Sequence, residues 1–451
     1  MDLIGLIPSF GSVLYTVAAF VVALSVIVAI HEYGHYIVGR WSGIHAEVFS
    51  IGFGPVLFSR RDKRGTLWQV AALPLGGYVK FLGDADASSV GRSDTAALDA
   101  AAARRTMHGA PLWARAATVA AGPIFNFILS ILVFAAVLLW RGVASDPLTV
   151  DSVAPLPGIS QEVQQGDEVV AIAGRETPDL AGIDAFIQEL PMEPELDYDV
   201  LRDGDTLTVL GPYPYPPLVG SVTPQSAAMA AGLRSGDVIT AINGSEIFAF
   251  DQLRDIVGES DGAPLDLTVW RPSGDDNLEG ATREVTLAPK RMDLPLSEGG
   301  FETRWLIGIT GGLYFTPQTT SPGPFTALGY GVDQTLFIIR SSLSGLYNMA
   351  VGAISSCNLS GPIGIAQTSG AAASQGLASF VWFVAVLSTA VGLLNLFPIP
   401  VLDGGHLVFH GYEAITGKPP GERALNVLMA VGLALLGTLM VFAIGNDLFC
   451  P

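Results

Sequence analysis

Four stretches of this chain carry no charged residue over lengths that can cross a hydrocarbon core: residues 11–30, 116–140, 378–402 and 424–446. A crossing helix needs about 20 apolar residues. In lipid, every backbone N–H and C=O must also be bonded inside the protein. The chain must therefore build a bundle of four spans and fit everything else around it. Residues 11–30 read as a span and not a cleavable leader, because no Lys or Arg precedes them and the apolar run is too long.

Charge locates the remainder. The 451 residues carry a formal net charge of -19. Residues 141–377 hold 11 basic against 30 acidic side chains, whereas residues 1–140 and 378–451 together balance at 12 and 12. The central block reads as a water-soluble insert, and the ends read as membrane. An acidic insert with few clustered Lys and Arg excludes nucleic acid as a partner. The two cysteines, Cys357 and Cys450, exclude a disulfide scaffold or a Cys-ligated zinc module and leave the redox compartment open.

Ten basic residues lie between the first two spans, from Arg40 to Arg115, and Lys418 and Arg423 lie between the last two. The positive-inside rule puts both segments in the cytoplasm. Both termini and the acidic insert then face the periplasm of a bacterial inner membrane. Residues 334–354 are also fairly apolar, but Arg340 sits near their middle. An arginine at bilayer centre costs at least ~2.5 kcal/mol, so a helix on the membrane surface is expected there.

The insert contains a repeat. Residues 166–176 read GDEVVAIAGRE and residues 236–246 read GDVITAINGSE, identical at six of eleven positions. Two copies of one small domain are implied. The second copy, with Pro224-Gln225-Ser226-Ala227-Ala228 and Ala231-Gly232-Leu233 ahead of Gly236-Asp237, resembles a PDZ domain of the bacterial, permuted kind. That resemblance implies a groove taking an extended peptide as an added strand, at Leu218, Val219, Gly220, Ser221 and Val222. The alternative is that the modules are packing units or size filters.

The chemistry sits at the end of the first span, in His31-Glu32-Tyr33-Gly34-His35. In H-E-x-x-H the two imidazoles share one helix face and can hold one Zn²⁺, with the Glu placed to take a proton from water. Ionisable groups inside an apolar span are costly and usually functional. Hydrolytic zinc takes a third protein ligand. The candidate is Asp403, following Asn395-Leu396-Phe397-Pro398-Ile399-Pro400-Val401-Leu402. With four spans, the first and third run in the same direction, which brings His31, His35 and Asp403 to one cytoplasmic-side level. A fifth span would separate them.

With HEYGH, the Asn395–Gly404 segment, Ala120-Ala121-Gly122-Pro123-Ile124-Phe125-Asn126-Phe127 in the second span and the tandem insert, the chain resembles the site-2 protease family of intramembrane metalloproteases. The resemblance covers nearly its whole length. It implies an α-helical multi-pass membrane protein with four transmembrane helices, a membrane-associated β-hairpin region and two inserted α/β PDZ-like domains. The expected segments are 1–38, 39–113 (hairpin), 114–141, 142–216 and 217–291 (PDZ-like), 292–377 (with the interfacial helix), 378–404, 405–423 and 424–451.

The resemblance further implies one zinc per chain on His31, His35 and Asp403, and Glu32 as general base. Asn395 would hold the substrate backbone. Gly52, Phe53 and Gly54 would lie in a hairpin whose edge pairs with substrate, although on the residues alone a plain hairpin fits equally. The implied substrates are transmembrane segments of single-span proteins: an anti-sigma factor after a first cleavage, and remnant signal peptides. The rival expectations are a membrane-anchored peptide-binding scaffold with an inactive metal site, and a channel or transporter. An intact HExxH with Asp403 argues against the scaffold, and the lack of a repeated membrane half argues against the transporter.

Overall fold

The computed structural model describes residues 6–84, 100–158, 161–179, 182–273, 279–296 and 300–450. They form two compact units, one of residues 1–137 and 324–451, the other of residues 138–323.

In the first unit, α1 (Leu6–Trp41) leads into a hairpin of β1 (Ala46–Arg61) and β2 (Leu67–Phe81), then α2 (Leu112–Arg141). After the second unit come α3 (Pro324–Ala350), α4 (Pro362–Ser374), α5 (Leu377–Asn395), α6 (Asp403–Thr416) and α7 (Glu422–Phe449). Among the described residues, four helices are long and apolar enough to cross a membrane: α1, α2, α5 and α7. The helix at residues 334–354 is not one of them. It belongs to α3, whose Arg340 is exposed and whose buried residues Ala327, Gly331 and Thr335 form one stripe of small side chains. Gly331 lets α3 approach α2 so closely that a Cβ there would lie 2.3 Å from the Ile131 carbonyl oxygen.

The third span is shorter than its charge-free stretch. α5 stops at Asn395, because Pro398 and Pro400 cannot continue the hydrogen-bond ladder. The chain turns and restarts as α6, so part of the expected 405–423 loop is helical. Gly404 and Gly405 make that restart possible. A Cβ on either would lie 2.3 Å from a carbonyl oxygen of the proline turn.

The hairpin packs on the ends of α1 and α2 through Tyr36, Phe49, Val79, Phe81 and Ala114. β1 bends near Gly52, whose φ of +90° suits glycine. Beyond the bend, residues 56–61 pair with 67–71. Before it, residues 48–51 have partners on both sides, 67–70 and 77–80.

The two cysteines form a disulfide, Cys357–Cys450, that composition did not reveal. Beside it, the Asp447 carboxylate of α7 accepts the backbone N–H groups of Gly361, Ile363 and Gly364 at 2.8, 3.0 and 3.1 Å. A carboxylate there satisfies donors that the first turn of α4 would leave orphaned and suits the helix dipole.

The second unit confirms the repeat as structure. Its two four-stranded sheets share one order: 175–176, 168–172, 195–202, 205–212, and 245–246, 238–242, 265–273, 279–287. Each sheet carries a helix at the same place, Ile183–Gln188 or Phe250–Glu259. Equivalent buried aspartates bind equivalent arginines: Asp167 with Arg202 (2.7 Å) and Asp237 with Arg271 (2.6 Å). Burial opposes the Asp167 charge, but Arg202 and the Gln164 N–H hold its carboxyl below the ordinary value.

Two expectations are corrected here. The modules do not end at residues 216 and 291: Ile309–Thr310 pairs with Ser221–Val222 to complete the second, and Phe315–Pro317 pairs with Val150–Val153 to complete the first. The second module is thus nested within the first, with Tyr314 and Phe315 buried in the first core and Ile307 in the second. Nor do Leu218, Val219, Gly220, Ser221 and Val222 offer a free edge. Val219 N–H bonds Asp237 O, Gly220 N–H bonds Thr310 O and Thr223 N–H bonds Gly308 O, each at 2.8 Å. With Asp237 bonded on one flank and residues 308–310 on the other, both edges of this segment are engaged by the chain itself, whereas strand addition needs one open edge.

Candidate metal and active site

The HEYGH residues lie in the last turns of α1, and helical spacing turns both imidazoles to one side. Asp403 reaches them as the first residue of α6. His31 Nε2 and His35 Nε2 are 3.1 Å apart, and Asp403 Oδ2 lies 3.1 Å from the first and 3.5 Å from the second. Vertices of a tetrahedron with zinc–ligand bonds of 2.0–2.1 Å are about 3.3 Å apart. The three atoms therefore have the spacing of three zinc ligands. Asp403 Oδ2 is buried with no hydrogen-bond partner, as befits an atom whose natural partner is a cation. Among the described residues, these three form the one cluster able to hold a metal.

Helix α2 closes the site from behind. His35 Nδ1 lies 2.8 Å from the Thr118 carbonyl oxygen. Only an N–H can bond a carbonyl, so the Nε2 lone pair points to the cluster. Gly122 comes next: a Cβ there would lie 2.4 Å from His35 Nε2 and 2.7 Å from His31 Nε2. The missing side chain leaves open the space in front of both nitrogens. Asn126, one further turn along, lies with its Nδ2 3.2 Å from His31 Nδ1. Glu413 fixes α6 against α2 by accepting two hydrogen bonds from Arg115, at 2.6 and 3.0 Å.

A cavity of about 300 Å³ opens on the cluster, lined also by Glu32, Tyr78, Val79, Asn395, His406 and His410. Asn395, the last residue of α5, donates from Nδ2 to Val391 O at 3.0 Å. Glu32 is covered by β2, and a Cβ on Gly77 would meet its Cγ at 3.1 Å. Gly52, Phe53 and Gly54 are not in the cavity wall. Phe53 instead stacks on Tyr78, centroids 6.1 Å apart and 15° between planes. Residues 77–79 and Phe81 of β2 form the strand that borders the cavity.

Sequence reasoning assigned no role to Thr118, Gly122 or Asn126. Their signal was present: Thr118, Gly122, Asn126 and Ser130 recur every four residues on an otherwise apolar span, and all four are buried. Small and polar side chains at one-turn spacing mark the face of a membrane helix that meets protein.

The sequence profile of peptidase family M50 matches residues 19–439. The chain belongs to peptidase family M50. Its relatives include a protein of Agrobacterium fabrum named as a zinc metalloprotease, 36% identical and aligned over 96% of this chain and 95% of its own. Protease RseP of Yersinia pestis is 33% identical over 97% of this chain and 99% of its own. The regulator of sigma-E protease RseP of Salmonella typhimurium is 32% identical over the same shares. This M50 peptidase is accordingly a zinc metalloprotease of the site-2 type, and the His–His–Asp cluster fits that metal.

Proposed function

We propose that this M50 peptidase is an inner-membrane enzyme that cuts transmembrane segments of single-span proteins, with His31, His35 and Asp403 as zinc ligands and Glu32 as general base. The observation that carries the reading is the convergence of His31 Nε2, His35 Nε2 and Asp403 Oδ2 within 4.8 Å of one another, on elements adjoining two apolar helices. Zinc, when bound, polarises the scissile carbonyl and lowers the pKa of water to about 7. Glu32 takes the proton of the attacking water and passes it to the leaving amide nitrogen. A helical substrate hides its carbonyls in its own hydrogen bonds and must unwind to be cut. Residues 77–81 offer replacement backbone partners beside Glu32, with Gly52, Phe53 and Gly54 shaping the hairpin and Asn395 holding the opened chain.

The two modules of the second unit are PDZ-like domains acting as a size filter on the substrate's external part. The closed edge at residues 218–222 favours that role over peptide capture. The substrate class is an anti-sigma factor already shortened by a first cleavage, together with remnant signal peptides; the name regulator of sigma-E protease carried by a relative supports it. Basic residues of 40–115 face the cytoplasm, and the termini and modules face the periplasm. The Cys357–Cys450 disulfide supports the same orientation, since disulfides persist in oxidising compartments.

Metal analysis of the purified chain tests the ligand set. One zinc per wild-type chain is expected, with loss on His35→Ala and on Asp403→Ala. Full zinc in both variants would overturn the assignment.

A further inference from the structure

We propose that Asn126 is a positioning residue that fixes the tautomer of His31 and so presents its Nε2 lone pair to zinc. The inference rests on the ligand reading above and extends it by one residue.

His35 has its tautomer set by a backbone carbonyl, because Nδ1 must donate to Thr118 O. For His31 Nδ1, the hydrogen-bond partner among the described residues is the side-chain amide of Asn126, at 3.2 Å. That amide is fully buried, and its Oδ1 has no hydrogen-bond partner. An amide can present either end to the ring, since a half-turn about Cβ–Cγ exchanges oxygen and nitrogen. With NH₂ facing Nδ1, the ring must carry its proton on Nε2. That proton then stands 3.1 Å from the free lone pair of His35 Nε2 and the same distance from Asp403 Oδ2, and no lone pair is left on His31 for a metal. With Oδ1 facing Nδ1, the ring proton moves to Nδ1, the orphaned oxygen gains a donor, and Nε2 is free to ligate. Asn126 can thus serve the metal-free and the loaded cluster by turning its amide over.

The backbone around Asn126 is braced. Its carbonyl oxygen accepts Ser130 Oγ at 3.0 Å and Ser388 Oγ of α5 at 2.9 Å. Ser130 Oγ also lies 2.8 Å from Ala385 O, so its one proton is shared between the two carbonyl oxygens. Gly392 lets α5 come so near that a Cβ there would touch Asn126 Cβ at 3.2 Å. Burial alone would be met by any side chain of this size. An amide aimed at an imidazole nitrogen that faces away from the metal is the arrangement expected of a partner that orients a ligand.

The test is zinc affinity, measured on detergent-purified full-length chain by competition with a chromophoric chelator. Asn126→Leu keeps the volume and removes the polar partner, and zinc should bind about 10- to 100-fold more weakly. Asn126→Asp restores an acceptor and should bind zinc as tightly as wild type or more tightly. Wild-type affinity in Asn126→Leu would overturn the proposal. Equal weakening in Asn126→Leu and Asn126→Asp would also overturn it, by showing that packing alone is at stake. His35→Ala serves as the control: if it too keeps wild-type affinity, the ligand reading itself has failed and not only the role of Asn126.

Discussion

Glu32→Gln is expected to keep its zinc and lose its hydrolysis. The amide matches the carboxylate in shape, so the close fit beneath Gly77 is undisturbed. It cannot accept a proton, and general-base catalysis contributes about 10²–10⁴-fold in rate. Zinc should stay at the wild-type level, because the three converging atoms belong to His31, His35 and Asp403. Metal content and the cleavage rate of a single-span substrate in detergent separate the two effects. Near-wild-type cleavage by the zinc-loaded variant would remove Glu32 from the chemistry.

Gly122→Ala is expected to empty the metal site while leaving the bundle folded. The added methyl would stand 2.4 and 2.7 Å from the two ligating nitrogens, in the space where the ion must sit. To relieve the contact, α2 would have to draw back from its close packing on α1. At the residue just before Gly122, the Ala121 carbonyl oxygen is so close to Gly34 of α1 that a Cβ on Gly34 would lie 2.5 Å from it. Two glycines therefore set a single spacing between the helices. In the helix interior, alanine is favoured over glycine by about 1 kcal/mol, so the backbone itself is not weakened. Zinc content should fall to background with the far-ultraviolet circular dichroism spectrum unchanged. A variant with one zinc per chain would show that α2 adjusts and that Gly122 does not guard the site.

The candidate site was legible where chemistry is tied to local spacing. HEYGH declares itself because residues four apart on a helix must share a face. Asp403 followed from topology, since an even number of crossings between two spans would have put it on the other side. The charge-free stretch 378–402 is longer than the helix within it, because Pro398 and Pro400 stop α5 at Asn395. The stripe of Thr118, Gly122 and Asn126 stayed without a role because its residues matter through what they omit or orient. The module boundaries failed for a different reason. The repeat shows only strands that recur in sequence, while the strands completing each module, Ile309–Thr310 and Phe315–Pro317, return from more than 80 residues away. The Cys357–Cys450 pairing, at a separation of 93 residues, leaves no local pattern to read.

Hydrolysis inside a membrane segment is tested most directly by mass mapping of the products from a single-span substrate incubated with the zinc-loaded wild-type enzyme in lipid. Fragments ending within the apolar segment, absent when Glu32→Gln replaces the wild type, are the predicted result. Fragments ending only in the segments outside the bilayer would contradict an active site built on His31, His35 and Asp403 between apolar helices.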